Sequence, residues 1–97
     1  MKFKIVIEPR AIFDIQDAVD YYDSRQKGLG EYFYDTLNVH IESLKINPFF
    51  QIKYKDYHSL PIKKIPYIIL YFLDEEKETV FILSVFNTSL NPIKYPK

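Results

Sequence analysis

The stretch Tyr67-Ile68-Ile69-Leu70-Tyr71-Phe72-Leu73, then Asp74-Glu75-Glu76-Lys77, then Thr79-Val80-Phe81-Ile82-Leu83-Ser84-Val85-Phe86 decides the fold. Two β-branched and aromatic runs separated by a short polar turn predict an antiparallel hairpin. Side chains alternate between the faces of a strand. Tyr67, Ile69, Tyr71 and Leu73 therefore share one face, and Ile68, Leu70 and Phe72 share the other. In the second strand Phe81, Leu83 and Val85 oppose Val80, Ile82 and Phe86. Both faces are apolar, whereas a strand wet on one side alternates apolar with polar. The hairpin therefore needs cover on both sides.

Working outward, the chain upstream supplies cover for one side. Residues 2–8 read as a strand, and Pro9 suits the first turn of a helix. From Arg10 to about Ser24, Ile12, Ile15, Val19 and Tyr22 recur at steps of three and four, which makes one helical face. Lys27-Gly28-Leu29-Gly30 breaks that helix with the only two glycines of the chain. A second helix follows, with Phe33, Leu37, Ile41 and Leu44 in line, and Asn47-Pro48 stops it. The helices form an antiparallel hairpin. Gln51 to Lys55 and Tyr57 to Lys63 are short strand candidates, and Pro61 marks the latter as an edge or a bulge. The expected class is α+β in the order β-α-α-β-β-β, with a further short strand optional and the helices on one face of a mainly antiparallel sheet.

The other face has no covering element except the tail, Asn87 to Lys97. Each aliphatic or aromatic side chain is worth roughly 1.5–3 kcal/mol when fully buried. Leaving several uncovered makes a patch that invites another polypeptide. The expected partner-binding residues are Ile69, Tyr71, Phe81 and Leu83 on the strands, with Phe13 and Tyr21 off the main stripe of the first helix. The competing reading is that strand curvature and the tail fill this face.

Composition narrows the chemistry. The 97 residues make one domain, 1–97, with 27% charged and 47% hydrophobic residues. Thirteen basic and thirteen acidic side chains cancel, which argues against holding nucleic acid by a bulk field. The absence of Cys excludes disulfides, thiolate catalysis and Cys-ligated zinc. Two glycines are too few for a phosphate-cradling loop. The nine Tyr and eight Phe are many for this length, and suit a surface that meets a partner. The longest apolar run, Tyr67 to Leu73, is far shorter than the roughly 20 residues of a membrane helix. With no export signal recognised, the cytoplasm is the expected location.

Few side chains suggest catalysis. His58 lies in a strip with Lys53, Lys55, Lys63 and Lys64, where a His among lysines and tyrosines suits general acid–base work on RNA. An exposed His on a strand or turn is the plainer reading. His40, between Leu37, Ile41 and Leu44, reads as structural. No His-x-x-x-His or carboxylate–His pair has ligand spacing, so no metal or cofactor is expected. Asp14, Asp17 and Asp20 read as a solvated helix face.

Several pieces in this order resemble the RelE/ParE superfamily of toxins from bacterial type II toxin–antitoxin modules, also described as plasmid stabilisation proteins. They are the Ile5-Val6-Ile7 strand, Tyr21-Tyr22 closing the first helix, Gly30 with Phe33 opening the second, and Pro48 ending it. Ile65-Pro66-Tyr67 before Leu70-Tyr71 and the closing Asn91-Pro92 complete the likeness. The resemblance implies a helical hairpin on a curved antiparallel sheet and an antitoxin that wraps the toxin. It implies one of two activities: ribosome-dependent cleavage of mRNA in RelE-like members, or inhibition of DNA gyrase in ParE-like ones. Where the family carries Arg before its Phe-Pro-Tyr segment, His58 stands. Where many members carry His and Arg before Asp-Pro, this chain reads Asn87-Thr88-Ser89-Leu90-Asn91-Pro92. These departures favour the ParE-like, non-nucleolytic activity, with growth inhibition released when the antitoxin is lost and homodimerisation an option in its absence. The nuclease alternative would use His58, Lys63, Lys64 and Tyr95, the last standing for the family's closing aromatic residue.

Overall fold

The computed structural model describes residues 2–50, 52–54 and 57–88. Strand β1 (Lys4–Ile7) leads into helices α1 (Pro9–Arg25) and α2 (Leu29–Leu44), then strands β2 (Ile52–Tyr54), β3 (Tyr57–Pro61), β4 (Tyr67–Asp74) and β5 (Thr79–Asn87). They form one five-stranded sheet in the order β1-β5-β4-β3-β2. Only β1 with β5 is parallel; the other pairs are antiparallel. The parallel pair closes the fold, because the chain runs through both helices and three strands before returning to lie beside its start. This is the expected helical hairpin on a mainly antiparallel sheet.

Pro61 is tolerated in β3 for a local reason. Strand β2 pairs only with Tyr57 and His58, so Pro61 lies past the end of that neighbour and its missing N–H breaks no ladder bond to it.

The core lies between the helices and one sheet face. From α2 it takes Phe33, Leu37, Ile41 and Leu44, as the spacing predicts. From the sheet it takes Leu60, Tyr67, Ile69, Tyr71, Leu73, Val80, Ile82 and Val85, and β1 adds the half-buried Ile5 and Ile7. Helix α1 is rotated from its expected setting. Its buried line is Ala11 and Ala18 with the half-buried Ile15, Val19 and Tyr22, while Ile12 is 55% exposed. Alanines let the helix backbone approach closely, which a stripe of larger residues would prevent.

The helical hairpin turns on the two glycines. Gly28 adopts φ 96°, in the left-handed region that a Cβ disfavours. Gly30 is needed for space: a Cβ there would meet the Val19 carbonyl oxygen at 2.6 Å. The Asp23 carboxylate bridges the turn, accepting from the backbone N–H of Gly30 at 2.8 Å and of Gly28 at 3.3 Å, near the start of α2. Beyond the turn Tyr22 stacks on Phe33 at 5.4 Å, and Phe33 meets Tyr67 edge-on at 4.9 Å. An aromatic bridge thus joins both helices to the central strand.

The two glycines make separable demands. Gly28→Ala should cost about 1–2 kcal/mol through backbone conformation alone, and Gly28→Asn less, because Asn tolerates the left-handed region. Gly30→Ala should cost about 1–3 kcal/mol by forcing α2 away from α1, and Gly30→Asn more than that. Urea denaturation of the four variants checks the contrast: rescue by Asn at 28 and not at 30.

Candidate functional site

The register of β4 against β5 sets the two sheet faces. Cα partners run from Asp74↔Thr79 to Tyr71↔Ile82, then shift to Leu70↔Ser84 and continue to Tyr67↔Asn87. Leu83 is the extra residue of a β-bulge. The bulge inverts the alternation after Ile82. Val85 therefore joins Val80 and Ile82 in the core, instead of sharing a face with Phe81 and Leu83 as simple alternation predicts.

The residues facing away from the helices then follow from pairing. Phe72 pairs with Tyr57 and Phe81, and Val6 pairs with Phe81. A row of apolar side chains crosses four strands from β1 to β3. Tyr57 and Phe72 meet edge-on with centroids 5.4 Å apart, and Phe72 and Phe81 are tilted at 6.4 Å. Val6 is 39% exposed, and Phe72, Phe81 and Leu83 are half-buried. Glu8, Tyr57, Phe72, Phe81 and Leu83 line a shallow cavity of about 330 Å³. The second apolar face is therefore present, and among the described residues both helices pack on its opposite side.

Not every expected partner residue lies there. Phe81 and Leu83 do. Ile69 and Tyr71 do not: both are fully buried in the core, because they pair with Val85 and Ile82 on the helix side. Phe13, 71% exposed, and Tyr21 are on the outer side of α1. The Tyr21 ring lies under the Arg25 guanidinium at 5.6 Å, and its hydroxyl accepts from Arg25 Nη1 at 3.1 Å. Glu8, Tyr57 and Phe72 escaped the sequence reading. Phe72 was legible as the alternate of Tyr71, but Glu8 and Tyr57 come together with it only through strand order.

Among the described nuclease candidates, His58 is set apart from Lys63 and Lys64. His58 is a strand residue, but it is 5% exposed and faces the core rather than solvent. Its ring stacks on Tyr71 at 5.3 Å and 13°. Nδ1 lies 2.8 Å from the Phe50 carbonyl, which only accepts, so Nδ1 carries a proton. Tyr71 completes this clamp. Its hydroxyl donates to the Pro48 carbonyl at 2.8 Å and accepts from the Phe50 N–H at 3.3 Å. The two rings thus hold the segment between α2 and β2. Lys63 and Lys64 are exposed in the turn after β3. The Lys63 N–H donates to His40 Nε2 at 3.3 Å, while His40 Nδ1 donates to the Thr36 carbonyl at 2.8 Å. His40 is the structural residue its setting predicts. Tyr95 and the Asn91-Pro92 motif lie outside the described residues.

Asp14 also departs from expectation. It is not on a solvated face: one carboxylate oxygen accepts from Ser84 Oγ at 2.9 Å and from the Val85 N–H at 3.0 Å. It thereby fastens α1 to the bulge. Among the described residues no three His, Cys, Asp or Glu side chains converge as a metal site. No described helix is long and apolar enough to cross a membrane.

Comparison with known proteins agrees with this architecture. A family model described as the ParE toxin of the type II toxin–antitoxin system, parDE, matches residues 5–92. A chain of the chromosomal ParDE system of Pseudomonas aeruginosa is similar with a TM-score of 0.78 at 11% identity, covering 91% of this chain and 98% of that one. A chain of the RelBE2 toxin–antitoxin complex of Mycobacterium tuberculosis reaches 0.65 at 16% identity, covering 90% and 99%. The isolated Escherichia coli RelE toxin reaches 0.55 at 19%, covering 94% and 89%. Comparison with curated proteins gives no match.

The clamp sets a pH dependence. Burial pushes the Tyr71 phenol up to about 12 from its ordinary 10.0, against a smaller opposing effect of the Phe50 backbone hydrogen bond. Burial also raises Tyr22 and Tyr67. The unfolded chain therefore loses the Tyr71 proton first as pH rises. The stability linked to the neutral buried phenol is complete below pH 10 and is lost towards pH 12, about 3 kcal/mol in all. Tyr71→Phe should lower stability at pH 8 by about 1–3 kcal/mol, because the Pro48 and Phe50 backbone groups lose their partner. It should also flatten the alkaline fall. Urea unfolding of both proteins at pH 8 and pH 11 checks this; parallel losses would speak against the clamp.

Proposed function

This chain belongs to the ParE toxin family of type II toxin–antitoxin systems, and we propose that it acts by binding proteins rather than by cleaving RNA. On this reading DNA gyrase is the target, and a cognate antitoxin silences the toxin by covering the open face of the sheet.

The observation that carries the reading is the apolar row of Val6, Phe81, Phe72 and Tyr57 on the face opposite the helices. Covering such side chains is favourable at roughly 25 cal/mol per Å² of apolar area. A strand hairpin apolar on both sides suits a protein that is half of a complex. Phe13 and Tyr21 on the outer side of α1 offer a second apolar surface, so target and antitoxin need not compete for the same residues.

The fate of His58 supports the non-nucleolytic choice. A general base must reach the proton it removes. Here the ring is buried against Tyr71, and its Nδ1 proton is committed to a backbone carbonyl. The family's basic residues before the closing motif are also absent from Asn87 to Pro92.

Two measurements test the proposal. The purified chain should inhibit gyrase supercoiling and leave ribosome-bound mRNA intact; the reverse pattern would establish the endonuclease reading. Phe81→Asp should leave the circular dichroism spectrum unchanged and weaken co-purification with the cognate antitoxin at least about tenfold, the scale of losing one buried aromatic contact. Undiminished co-purification would place the antitoxin elsewhere.

A further inference from the structure

Glu8 occupies the N-cap of α1, but its side chain makes no capping hydrogen bond. Only its backbone serves the fold: the N–H donates to the Ile82 carbonyl at 2.9 Å, and the carbonyl accepts from the Ile12 N–H at 3.1 Å. The residue is half-buried and lines the cavity with the Tyr57, Phe72 and Phe81 rings and Leu83. Among the described residues the ion pair is Lys45–Glu42, and Glu8 is not ion-paired with a described cation.

This site has a specific chemical demand. A neutral apolar segment laid over it would bury the carboxylate without a partner, which is strongly unfavourable. A cation placed there would meet the carboxylate and the electron-rich ring faces together. A guanidinium fits best, because it is planar, stacks on rings and can donate two parallel hydrogen bonds to one carboxylate. The depression is shallow and open to solvent, so a long side chain can enter it from an extended segment laid across the sheet.

We propose that the cavity lined by Glu8, Tyr57, Phe72, Phe81 and Leu83 receives an arginine side chain of the polypeptide that covers the open sheet face. This rests on the reading of that face as the antitoxin's seat, and it names the residue chemistry the covering segment must carry there.

The test uses the full-length protein, isotopically labelled, and three small probes: Nα-acetyl-arginine methylamide, its neutral citrulline isostere and Nα-acetyl-lysine methylamide. Arginine should shift the ring resonances of Tyr57, Phe72 and Phe81 saturably. Citrulline should bind at least about fivefold more weakly, the scale of one solvent-accessible ion pair. Glu8→Gln should reduce arginine binding to the citrulline level, and Phe81→Leu, which keeps the face apolar but removes a ring, should weaken it too. Thermal melts of both variants confirm folding. Equal binding of citrulline and arginine, shifts confined to other residues, or lysine binding as tightly as arginine would overturn the proposal. Antitoxin co-purification separates the two readings. If arginine binding fails while the antitoxin still binds and is lost with Phe81→Asp, only the arginine inference falls. If arginine binds but Phe81→Asp leaves the antitoxin bound, the cation site stands and the antitoxin's placement falls.

Discussion

The pairing of β4 with β5 is the constraint on which the rest of the molecule depends. Both strands carry apolar residues on both faces, so hydrophobicity alone leaves their facing ambiguous. The extra residue Leu83 resolves it by turning Val85 toward the helices and leaving Phe81 and Leu83 on the far side. Asp14 of α1 then locks the choice, binding Ser84 and Val85 just after the bulge. A half-buried carboxylate with two donors fixes direction in a way that apolar contact cannot. Helix packing and the composition of the open face thus share one local cause.

A second polar device works on the neighbouring strands β3 and β4. The segment after α2 must cross to the far edge of the sheet, and its backbone groups have no ladder to join. Tyr71 and His58 supply the partners, stacked on each other and bonded to Pro48 and Phe50. A histidine that looks chemical in a run of lysines is thereby used as a building element. The same holds for His40, whose ring nitrogens tie α2 to the turn at Lys63. The buried His58 commits its Nδ1 proton to a backbone carbonyl, and the half-buried His40 commits both ring nitrogens to backbone groups.

The open face is different in kind. Its aromatic rings contact one another across three strands, and the carboxylate among them serves neither the helix cap nor a described cation. The chain's membership of the ParE toxin family of type II toxin–antitoxin systems makes that surface the proposed seat of a partner chain.

Local patterning was enough for the class, the element order and the α2 core line of Phe33, Leu37, Ile41 and Leu44. Those signals are periodic and carried by neighbours in the chain. It was also enough to show that the hairpin β4–β5 carries apolar side chains on both faces, and among the described residues the helices pack on one of them. It grouped Tyr67, Ile69, Tyr71 and Leu73 on one face correctly but took Ile69 and Tyr71 for the uncovered side, because alternation does not say which face the helices roof. It also set Val85 with Phe81 and Leu83, expected Ile12 on the buried face of α1, and favoured an exposed His58. Each error has the same physical origin. A one-residue bulge inverts alternation without changing composition, small alanines win the closest packing although their hydrophobicity is weak, and a polar ring is buried when backbone groups far along the chain need it. Those outcomes depend on partners brought together only by the sheet order, so the packed molecule alone settles them.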